Sequence, residues 1–325
     1  MRVLVTGGAG YIGSVVADRL LQSGHAVTVL DNLSTGRRQA VPAKADFIQA
    51  DTGDEASVEH IIRAGHFDAV MHFAAFIEAG ESVTHPEKYF VNNSAKTLSL
   101  LHTVLKYHVS RFVFSSTAAV YGDPKRIPFL EDDPLQPVNA YGESKLIVER
   151  ILAWFHRAYG LRYASLRYFN AAGATAARGE AHHPETHLIP RVLQVALGQR
   201  KAISIYGTDY PTKDGTCVRD YIHVEDLATA HLLSLDGLDE HPYLICNLGS
   251  GSGFSVREII DMARKVTGHP IPAQESPRRA GDPAVLVASS EKIRQVLGWN
   301  PQHSSVENIV RTAWEWHKTH PQPRG

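Results

Sequence analysis

The sequence predicts an α/β protein, a doubly wound parallel sheet followed by a smaller mixed α/β domain, on three observations. Short β-branched runs alternate with amphipathic stretches through the first half of the chain. A glycine-rich turn stands between the first run and the first amphipathic stretch. After Asn170 the texture shifts to Ala, Gly and His, and later elements are shorter and more often interrupted by Pro. With 325 residues, 43% of them hydrophobic, the chain is long enough to bury a sizeable core.

Residues 2–6 (RVLVT) form the first strand, which ends at Gly7-Gly8, and residues 11–21 place Ile12, Val15, Val16 and Leu20 at helical spacing. Further strands are expected at 26–30, 46–50, 69–73 and 111–115, separated by helical stretches such as 54–63 and 86–107. A sixth strand, 163–168, follows the helix 140–159. Such alternation favours right-handed βαβ crossovers and a parallel sheet covered on both faces. The domain boundary is placed at residue 170, giving domains 1–170 and 171–325, with segments around 217–246 returning to pack on the first. There is no repeat of 20 to 50 residues and no low-complexity tract.

Composition excludes several function classes. With 33 Lys+Arg against 34 Asp+Glu and a net charge of −1, nothing draws the chain in bulk to nucleic acid or an anionic membrane. Two cysteines, Cys217 and Cys246, make no disulfide framework and lack the paired spacing of a zinc site. The 18 histidines are scattered, no H-E-x-x-H occurs, and His182-His183 sits in a polar Ala/Gly/Pro loop, so no metal is expected. The start MRVLVTGG has no long apolar core, and no segment nears 18 uninterrupted apolar residues. A reducing cytoplasm is the expected location.

Thr6 to Gly13 (TGGAGYIG) carries Gly7, Gly10 and Gly13 at three-residue spacing. Without a Cβ, Gly7 and Gly10 let the backbone turn sharply and approach a pyrophosphate, which the free N–H groups and positive end of the following helix favour. Gly13 lets that helix lie close to the sheet. A merely tight strand-to-helix turn would also explain the glycines. Asp31 weakens that reading: a carboxylate closing the second strand accepts both ribose hydroxyl protons of adenosine and repels a 2′-phosphate, which argues for NAD over NADP. Arg37 and Arg38 are the counter-signal, since arginines after this strand can hold a 2′-phosphate, although they also suit a solvated loop. Residues 249–253 (GSGSG) look like a second phosphate loop but follow no first strand of a βαβ unit, so a plain turn before a helix at 256–266 is expected.

Tyr141 and Lys145, four apart in the helix 140–159, share one face. A tyrosine with its ordinary pKa of about 10 is a poor base at neutral pH; a neighbouring ammonium and the positive nicotinamide of oxidised NAD favour the phenolate. Spacing alone proves little, because Tyr121 and Lys125 repeat it with Gly122 and Pro124 between them, where no helix forms. Thr117 closes Phe114-Ser115-Ser116-Thr117 at the C-terminal edge of a strand, the edge where open α/β sheets bind ligands. Its hydroxyl either relays a proton or caps a loop, and spacing does not separate the two.

Taken in order, TGGAGYIG, DNLSTG, HFAA, SSTAAVYG, AYGESK, LRYFNAAG and RDYIHVEDLA resemble the extended short-chain dehydrogenase/reductase family, whose first domain is of the Rossmann type. Within it they look like the nucleotide-sugar 4-epimerases of galactose metabolism that act on UDP-glucose and UDP-galactose, from Arg2 to about Trp316. The resemblance implies an isomerase whose tightly held NAD is reduced and reoxidised in each turnover. Tyr141 would take the proton of the sugar 4-hydroxyl, helped by Thr117 and Lys145, while hydride leaves C4. The transient 4-keto sugar would turn over and regain hydride on its other face. The family's NAD contacts map onto Gly7, Gly10, Tyr11, Ile12, Gly13, Asp31, Asn32, Leu33, Ser34, Thr35, Gly36, Asp51, Thr52, Phe73, Ala74, Ala75, Phe76, Ile77, Asn92, Tyr141, Lys145 and Phe169.

The same resemblance assigns the second domain to the nucleotide half of a UDP-hexose. Arg219 and Arg279 match phosphate-binding arginines, whose forked donors suit a diphosphate. Asn170, Leu188, Ser204, Tyr206 and Asp282 match positions lining the sugar and uridine. Read without the family, Arg279 in PRRAGD is a surface turn and Tyr206 an edge-strand aromatic. A homodimer is implied as well, because the family pairs the helices 86–107 and 140–159. Both carry apolar residues on more than one stripe: Phe90, Leu98, Leu101 and Leu105, then Ile147, Ile151, Trp154 and Phe155.

Three departures bear on specificity. Ile77 stands where such epimerases often have a lysine, and Thr117 replaces a serine, keeping the hydroxyl and adding a methyl. Leu286 falls at the position that limits the sugar 2-substituent and is intermediate between a restrictive tyrosine and smaller residues. UDP-N-acetylglucosamine, UDP-pentoses and UDP-uronates therefore stay open as alternative substrates. A 4,6-dehydratase of this fold needs an acid and a base after the shuttle residue, and Ala118-Ala119 supply neither. An inactive NAD-sensing or scaffold protein would have no reason to keep Tyr141, Lys145 and Thr117 together.

Overall fold

The alternating runs become strand and helix units in a computed structural model that describes residues 1–123, 125–279 and 282–320; Pro124, Ala280, Gly281 and residues 321–325 lie outside the described residues. In chain order the units are β1 (Arg2–Thr6), α1 (Tyr11–Gln22), β2 (Ala26–Asp31), β3 (Asp46–Gln49), α2 (Glu55–Gly65), β4 (Ala69–His72), α3 (Ala79–Thr84), α4 (Pro86–Tyr89) and α5 (Lys96–Lys106). Then come β5 (Arg111–Thr117), α6 (Ala140–Tyr159), β6 (Arg162–Tyr168), β7 (Asn170–Ala172), α7 (Leu188–Ala196), β8 (Ile203–Tyr206), β9 (Val218–His223) and α8 (Val224–Gly237). The chain continues through β10 (Tyr243–Leu248), β11 (Gly253–Ser255), α9 (Val256–Thr267), β12 (Ala273–Ser276), β13 (Val285–Leu286), α10 (Glu291–Leu297) and α11 (Val306–Thr319).

Seven strands form one parallel sheet in the order β10-β6-β5-β4-β1-β2-β3. Period-two alternation sends Val3 and Val5 to one face, into a core with Val15, Val16, Leu20, Leu227 and Trp299. Leu4 goes to the other face, with Val70, Phe112, Phe114, Leu100, Val104, Val148 and Leu152. Burial on both faces is why these strands read as nearly continuous apolar runs. Connections from β1 run toward β2 and β3, then cross to β4 on its other side. The crevice where a doubly wound sheet binds its ligand therefore opens at the C-terminal ends of β1 and β4.

The seventh strand comes from past residue 170: β10 pairs with β6 in parallel, Leu244 against Ala164 and Leu248 against Tyr168. Helix α8 packs on α1. The rest of the second half builds a small sheet around β9, which pairs with β7, β11 and β13, and a two-stranded sheet of β8 and β12. Ile189, Val192, Leu193, Ile205, Ile259 and Ile309 form its separate core.

Two segments differ from their sequence pattern. The helix expected over 86–107 is interrupted by a π-helical turn at Phe90–Ala95. In it Asn93 is buried; its side-chain oxygen accepts from the Phe76 amide (2.9 Å), and its Nδ2 donates to the Phe76 carbonyl (3.0 Å) and Ser144 Oγ (3.1 Å). A widened turn of this kind shifts the register by one residue, which apolar periodicity does not report. The loop 249–253 leads into β11 and α9 and wraps an internal anion. The amides of Ser250, Gly251 and Ala288 donate to the buried Asp220 carboxylate (2.8, 3.1 and 3.1 Å). Cys217 and Cys246 are buried free thiols. Among the described residues no helix is long and apolar enough to cross a membrane.

Three histidines are held as neutral rings. His72 bridges the hydroxyls of Thr6 (2.6 Å) and Thr97 (2.9 Å), His223 Nδ1 accepts from the Glu225 amide (3.1 Å), and His231 Nδ1 donates to the Leu227 carbonyl (2.8 Å). Burial pushes His72 down to about 3 and His223 and His231 down to about 4. Each takes up a proton near pH 6.5 in the unfolded chain, so the unfolded state binds more protons below that pH. Their contribution to stability is therefore lost as pH falls from 6.5 toward 4. Phenylalanine at position 231 keeps the ring packing on Phe73 and Tyr168 (centroids 4.9 and 5.7 Å) and removes the titration. In urea melts, the stability lost between pH 7 and pH 5 is expected to be about 2 kcal/mol smaller for His231→Phe than for the parent chain; equal losses contradict this.

Candidate active site

The glycine turn is a place of near-backbone contact. Gly7 has φ +73°, and a Cβ there would lie 2.4 Å from the Ala74 nitrogen; a Cβ on Gly13 would lie 2.3 Å from the Gly7 carbonyl oxygen. Any side chain at either position would force β1, α1 and the end of β4 apart. Gly10 is the N-cap of α1 and offers no side-chain acceptor, so the amides of the first turn are left for an outside anion. Asp31, at the end of β2, steadies the turn: Oδ2 accepts from the Ala9 amide (2.9 Å) and Oδ1 from the Leu33 amide (2.8 Å).

This turn forms one wall of a cavity of about 850 Å³ at the C-terminal ends of the central strands. Of the residues expected to touch NAD, Gly7, Gly10, Tyr11, Ile12, Gly13, Asp31, Asn32, Ser34, Thr35, Gly36, Thr52, Phe73 to Ile77, Asn92, Tyr141, Lys145 and Phe169 line it. Leu33 and Asp51 do not. Leu33 has φ +60° and packs its side chain on the core, and Asp51 pairs with Lys96 (2.8 Å) while accepting from Asn32 Nδ2 (2.7 Å). Of the residues expected to touch the nucleotide sugar, Thr117, Asn170 and Arg279 line the cavity, whereas Leu188, Ser204, Tyr206, Arg219, Asp282 and Leu286 lie outside its lining. Leu188 packs on the separate core that holds Ile189, Val192 and Ile259. Arg219 forms an ion pair with Asp282 and donates to the Val218 carbonyl (2.8 Å). The Arg279 guanidinium covers the Tyr206 ring at 4.0 Å, and Leu286, like Phe169, packs against the cluster of Val120, Tyr121, Phe129 and Leu146.

The reactive side chains come from α6 and the end of β5. Asn139 caps α6, its side chain accepting from the Gly142 amide (2.8 Å), so the helix begins one residue before Tyr141. The Thr117 hydroxyl accepts from the Ala119 amide (3.1 Å), capping the loop, and lines the same cavity as the Tyr141 phenol, whose ionisation it favours. Lys145 is 2% exposed and donates to the Ser115 carbonyl (2.8 Å), with its ammonium 4.9 Å from the Phe114 ring centroid. Burial pushes Lys145 down to about 7. Burial also holds Tyr141 above its ordinary value; the Thr117 hydroxyl opposes that and Glu78 adds to it. The direction is opposite to the one expected from a Tyr–Lys spacing of four, because desolvation outweighs the charge of a lysine that is bonded to a carbonyl instead of the phenol.

Beside Tyr11 the cavity is also lined by Glu180, His182, His187 and Arg191, which the sequence expectations do not place at the site. A signal exists in the doubled Glu-x-His of Glu180-Ala181-His182 and Glu185-Thr186-His187. His187 Nδ1 lies 2.7 Å from Glu180 Oε1 and His182 Nδ1 lies 3.1 Å from it. Burial works against both imidazolium ions, yet Glu180 and Glu185 outweigh it and hold both histidines above the ordinary value, His187 well above. Arg191 follows His187 by one turn on α7, and its Nε is buried without a partner.

Comparison with known proteins agrees with this geometry. Residues 3–249 match the model of the NAD dependent epimerase/dehydratase family. A UDP-glucose 4-epimerase of Streptomyces lividans is 54% identical over 322 residues, 99% of this chain and 97% of the relative. One of Lacticaseibacillus casei is 51% identical over 328 residues, 100% of this chain and 99% of the relative. The crystal structure of UDP-glucose 4-epimerase from Brucella ovis in complex with NAD superposes with a TM-score of 0.94 at 46% identity, covering 96% of this chain and 97% of that one. With a glycine turn, a Tyr–Lys helix and a hydroxyl at the end of β5 around one cavity, and with relatives matched over nearly their whole length, the chain belongs to the NAD dependent epimerase/dehydratase family.

Proposed function

We propose that the chain is an NAD-dependent isomerase that interconverts UDP-glucose and UDP-galactose by inverting C4. The observation that carries this reading is that Tyr141, Thr117 and Lys145 line the same cavity as the glycine turn. The relatives' shared activity supports the substrate class. NAD, when bound, would supply a reversible acceptor for the C4 hydride.

The chain's own residues fit that cofactor and do the rest. In this reading domain 1–170 holds NAD: the open amides at the start of α1 suit the pyrophosphate, and Asp31 keeps lone pairs for ribose hydroxyls while repelling a 2′-phosphate. Leu33 and Asp51 support that site from behind the lining. Tyr141 takes the proton of the sugar 4-hydroxyl, with the Thr117 hydroxyl as relay. Because burial alone disfavours the phenolate, Tyr141 becomes a base only when positive charge is brought beside it. Domain 171–325 with Asn170 holds the nucleotide sugar: Arg279 and Arg219 take the diphosphate, and Leu188, Ser204, Tyr206 and Asp282 the uridine end. Leu286, packed against the same cluster as Phe169, limits the sugar 2-substituent. Arg191, with a buried unpartnered Nε in the lining, adds a donor on that side. Ile77 supplies no charge where related epimerases often have a lysine, and Lys88, in the lining with its ammonium 4.5 Å from the Phe76 ring, is placed to supply it instead.

The same reading makes the protein a cytoplasmic homodimer. Val91, Leu98 and Trp154 are exposed apolar side chains on the π-helical turn, α5 and α6, the helices that would pair. Light scattering at micromolar concentration is expected to give twice the mass of one chain, and a monomer excludes the pairing.

For the activity, denaturing the purified protein is expected to release about one NAD per chain. Tyr141→Phe should keep that NAD while epimerisation falls by roughly 10²- to 10⁴-fold. Unaltered turnover with NAD still bound removes Tyr141 from the reaction. A panel of UDP-glucose, UDP-N-acetylglucosamine, UDP-xylose and UDP-glucuronate settles the substrate, and interconversion of the acetylated pair alone would overturn the UDP-glucose assignment.

A further inference from the structure

The part of the cavity wall beside Tyr11 holds two buried carboxylates with no described lysine or arginine to match them. Glu180 and Glu185 have side chains only 5% and 1% exposed, and among the described residues no lysine or arginine forms an ion pair with either. Buried carboxylates are costly unless cations face them, and here two protonated histidines take that place, which a metal ion bound to the neutral rings can fill instead. Their polar neighbours are two imidazoles, which converge on the same place: His182 Nδ1 (3.1 Å) and His187 Nδ1 (2.7 Å) both approach Glu180 Oε1, and His187 Nδ1 lies 3.2 Å from Glu185 Oε1.

Glu185 is only half used. Its Oε1 accepts from the amides of Thr186 and His187 (2.9 Å each), which hold the carboxylate in place, while its Oε2 is buried with no partner. One donor atom from each of Glu180, His182, Glu185 and His187 lies within 4.8 Å of every other. Donors around a zinc-type ion at bond lengths of about 2.0–2.2 Å stand roughly 3–4 Å apart, so closing the widest pair by about 1–2 Å completes the shell. Two neutral imidazoles and two carboxylates form a neutral complex with a divalent ion, and this mixture of nitrogen and oxygen suits zinc, cobalt or manganese. His182 and His187 are 22% and 41% exposed, which leaves the ion a way in.

We propose that Glu180, His182, Glu185 and His187 form a binding site for one divalent transition-metal ion on the wall of the cavity. The doubled Glu-x-His is the sequence form of this site, and its two halves are the two ends of the segment 180–187, so the ion clips that segment closed. The clip faces the first turn of α1, where the Tyr11 ring meets the His182 ring edge-on at 6.5 Å and the Tyr11 hydroxyl donates to the Gly173 carbonyl (2.6 Å). It also stands at the start of α7 beside Arg191. The site does not depend on which sugar the protein turns over.

The test uses the full-length protein as purified, dialysed against a chelator and then against chelator-free buffer. Titration with Zn²⁺ in a calorimeter is expected to give one site per chain with micromolar or tighter affinity, and Co²⁺ is expected to develop visible d–d bands that Zn²⁺ abolishes. His182→Asn and Glu185→Gln should each weaken Zn²⁺ binding at least tenfold, while His183→Asn leaves it unchanged. Zn²⁺ should also protect His182 and His187 of the parent chain from diethyl pyrocarbonate, mapped by peptide mass, a readout that needs no variant to fold. The proposal is overturned if the parent chain shows no saturable binding, if the variants bind as the parent does, or if the ion leaves modification of these two histidines unchanged. In each of those cases the cluster is a hydrogen-bonded ion group only. Epimerase assays do not enter the outcome, so the site and the proposed activity fail independently.

Discussion

Glu149 and Arg167 form an ion pair buried to 4% and 2% exposure, and the placement of the reactive residues depends on it. Arg167 reaches the carboxylate through Nη2 (2.6 Å) and Nε (3.0 Å), and Ser116 Oγ donates to the same group (2.5 Å). Glu149 lies one turn beyond Lys145 on α6, while Ser116 and Arg167 stand near the C-terminal ends of β5 and β6. Sliding α6 by one residue would break all three bonds and carry Tyr141 away from Thr117. Losing one partner of such a pair typically costs about 3–5 kcal/mol, because the other charge stays buried. The lock extends further: Arg167 donates to Tyr121 Oη (2.9 Å), which donates to Asn247 Oδ1 (2.6 Å) on β10. The strand contributed from the second half of the chain therefore helps to hold the helix that carries the tyrosine.

That rigidity explains how two groups can be kept in states that water would not favour. Burial pushes Lys145 down to about 7 and holds the Tyr141 phenol above its ordinary value. Neither group makes the other reactive on its own, since the lysine is bonded to the Ser115 carbonyl. In the proposed function this is an advantage. A phenol that ionises only beside added positive charge does not act as a base before the cofactor is in place.

Much of the architecture is legible in the sequence because its signals are local. The run RVLVT, the glycines at 7, 10 and 13 and the apolar spacing of 11–21 each specify a strand, a turn and a helix within a few residues. The π-helical turn at Phe90–Ala95 is not legible, because one added residue leaves the amphipathic pattern nearly intact. Nor is the pairing of Glu149 with Arg167, eighteen positions apart on different elements. Positions carried over from the family name the cavity's surroundings more widely than its lining: Asp51 and Arg219 are engaged by Lys96 and Asp282. The Glu180 to His187 cluster leaves a local trace in its doubled Glu-x-His, but that all four side chains converge is visible only once the loop has folded.

The central claim is that C4 is inverted by hydride removal and return within one cavity, with Tyr141 handling only the hydroxyl proton. The most direct measurement follows UDP-glucose deuterated at C4 through the reaction in ordinary water, reading the label by NMR in the UDP-galactose formed. Hydride transfer predicts that deuterium stays at C4 of the product with no wash-out to solvent. Loss of the label to water would mean that C4 is deprotonated instead, and would contradict the proposed roles of Tyr141 and the cofactor site.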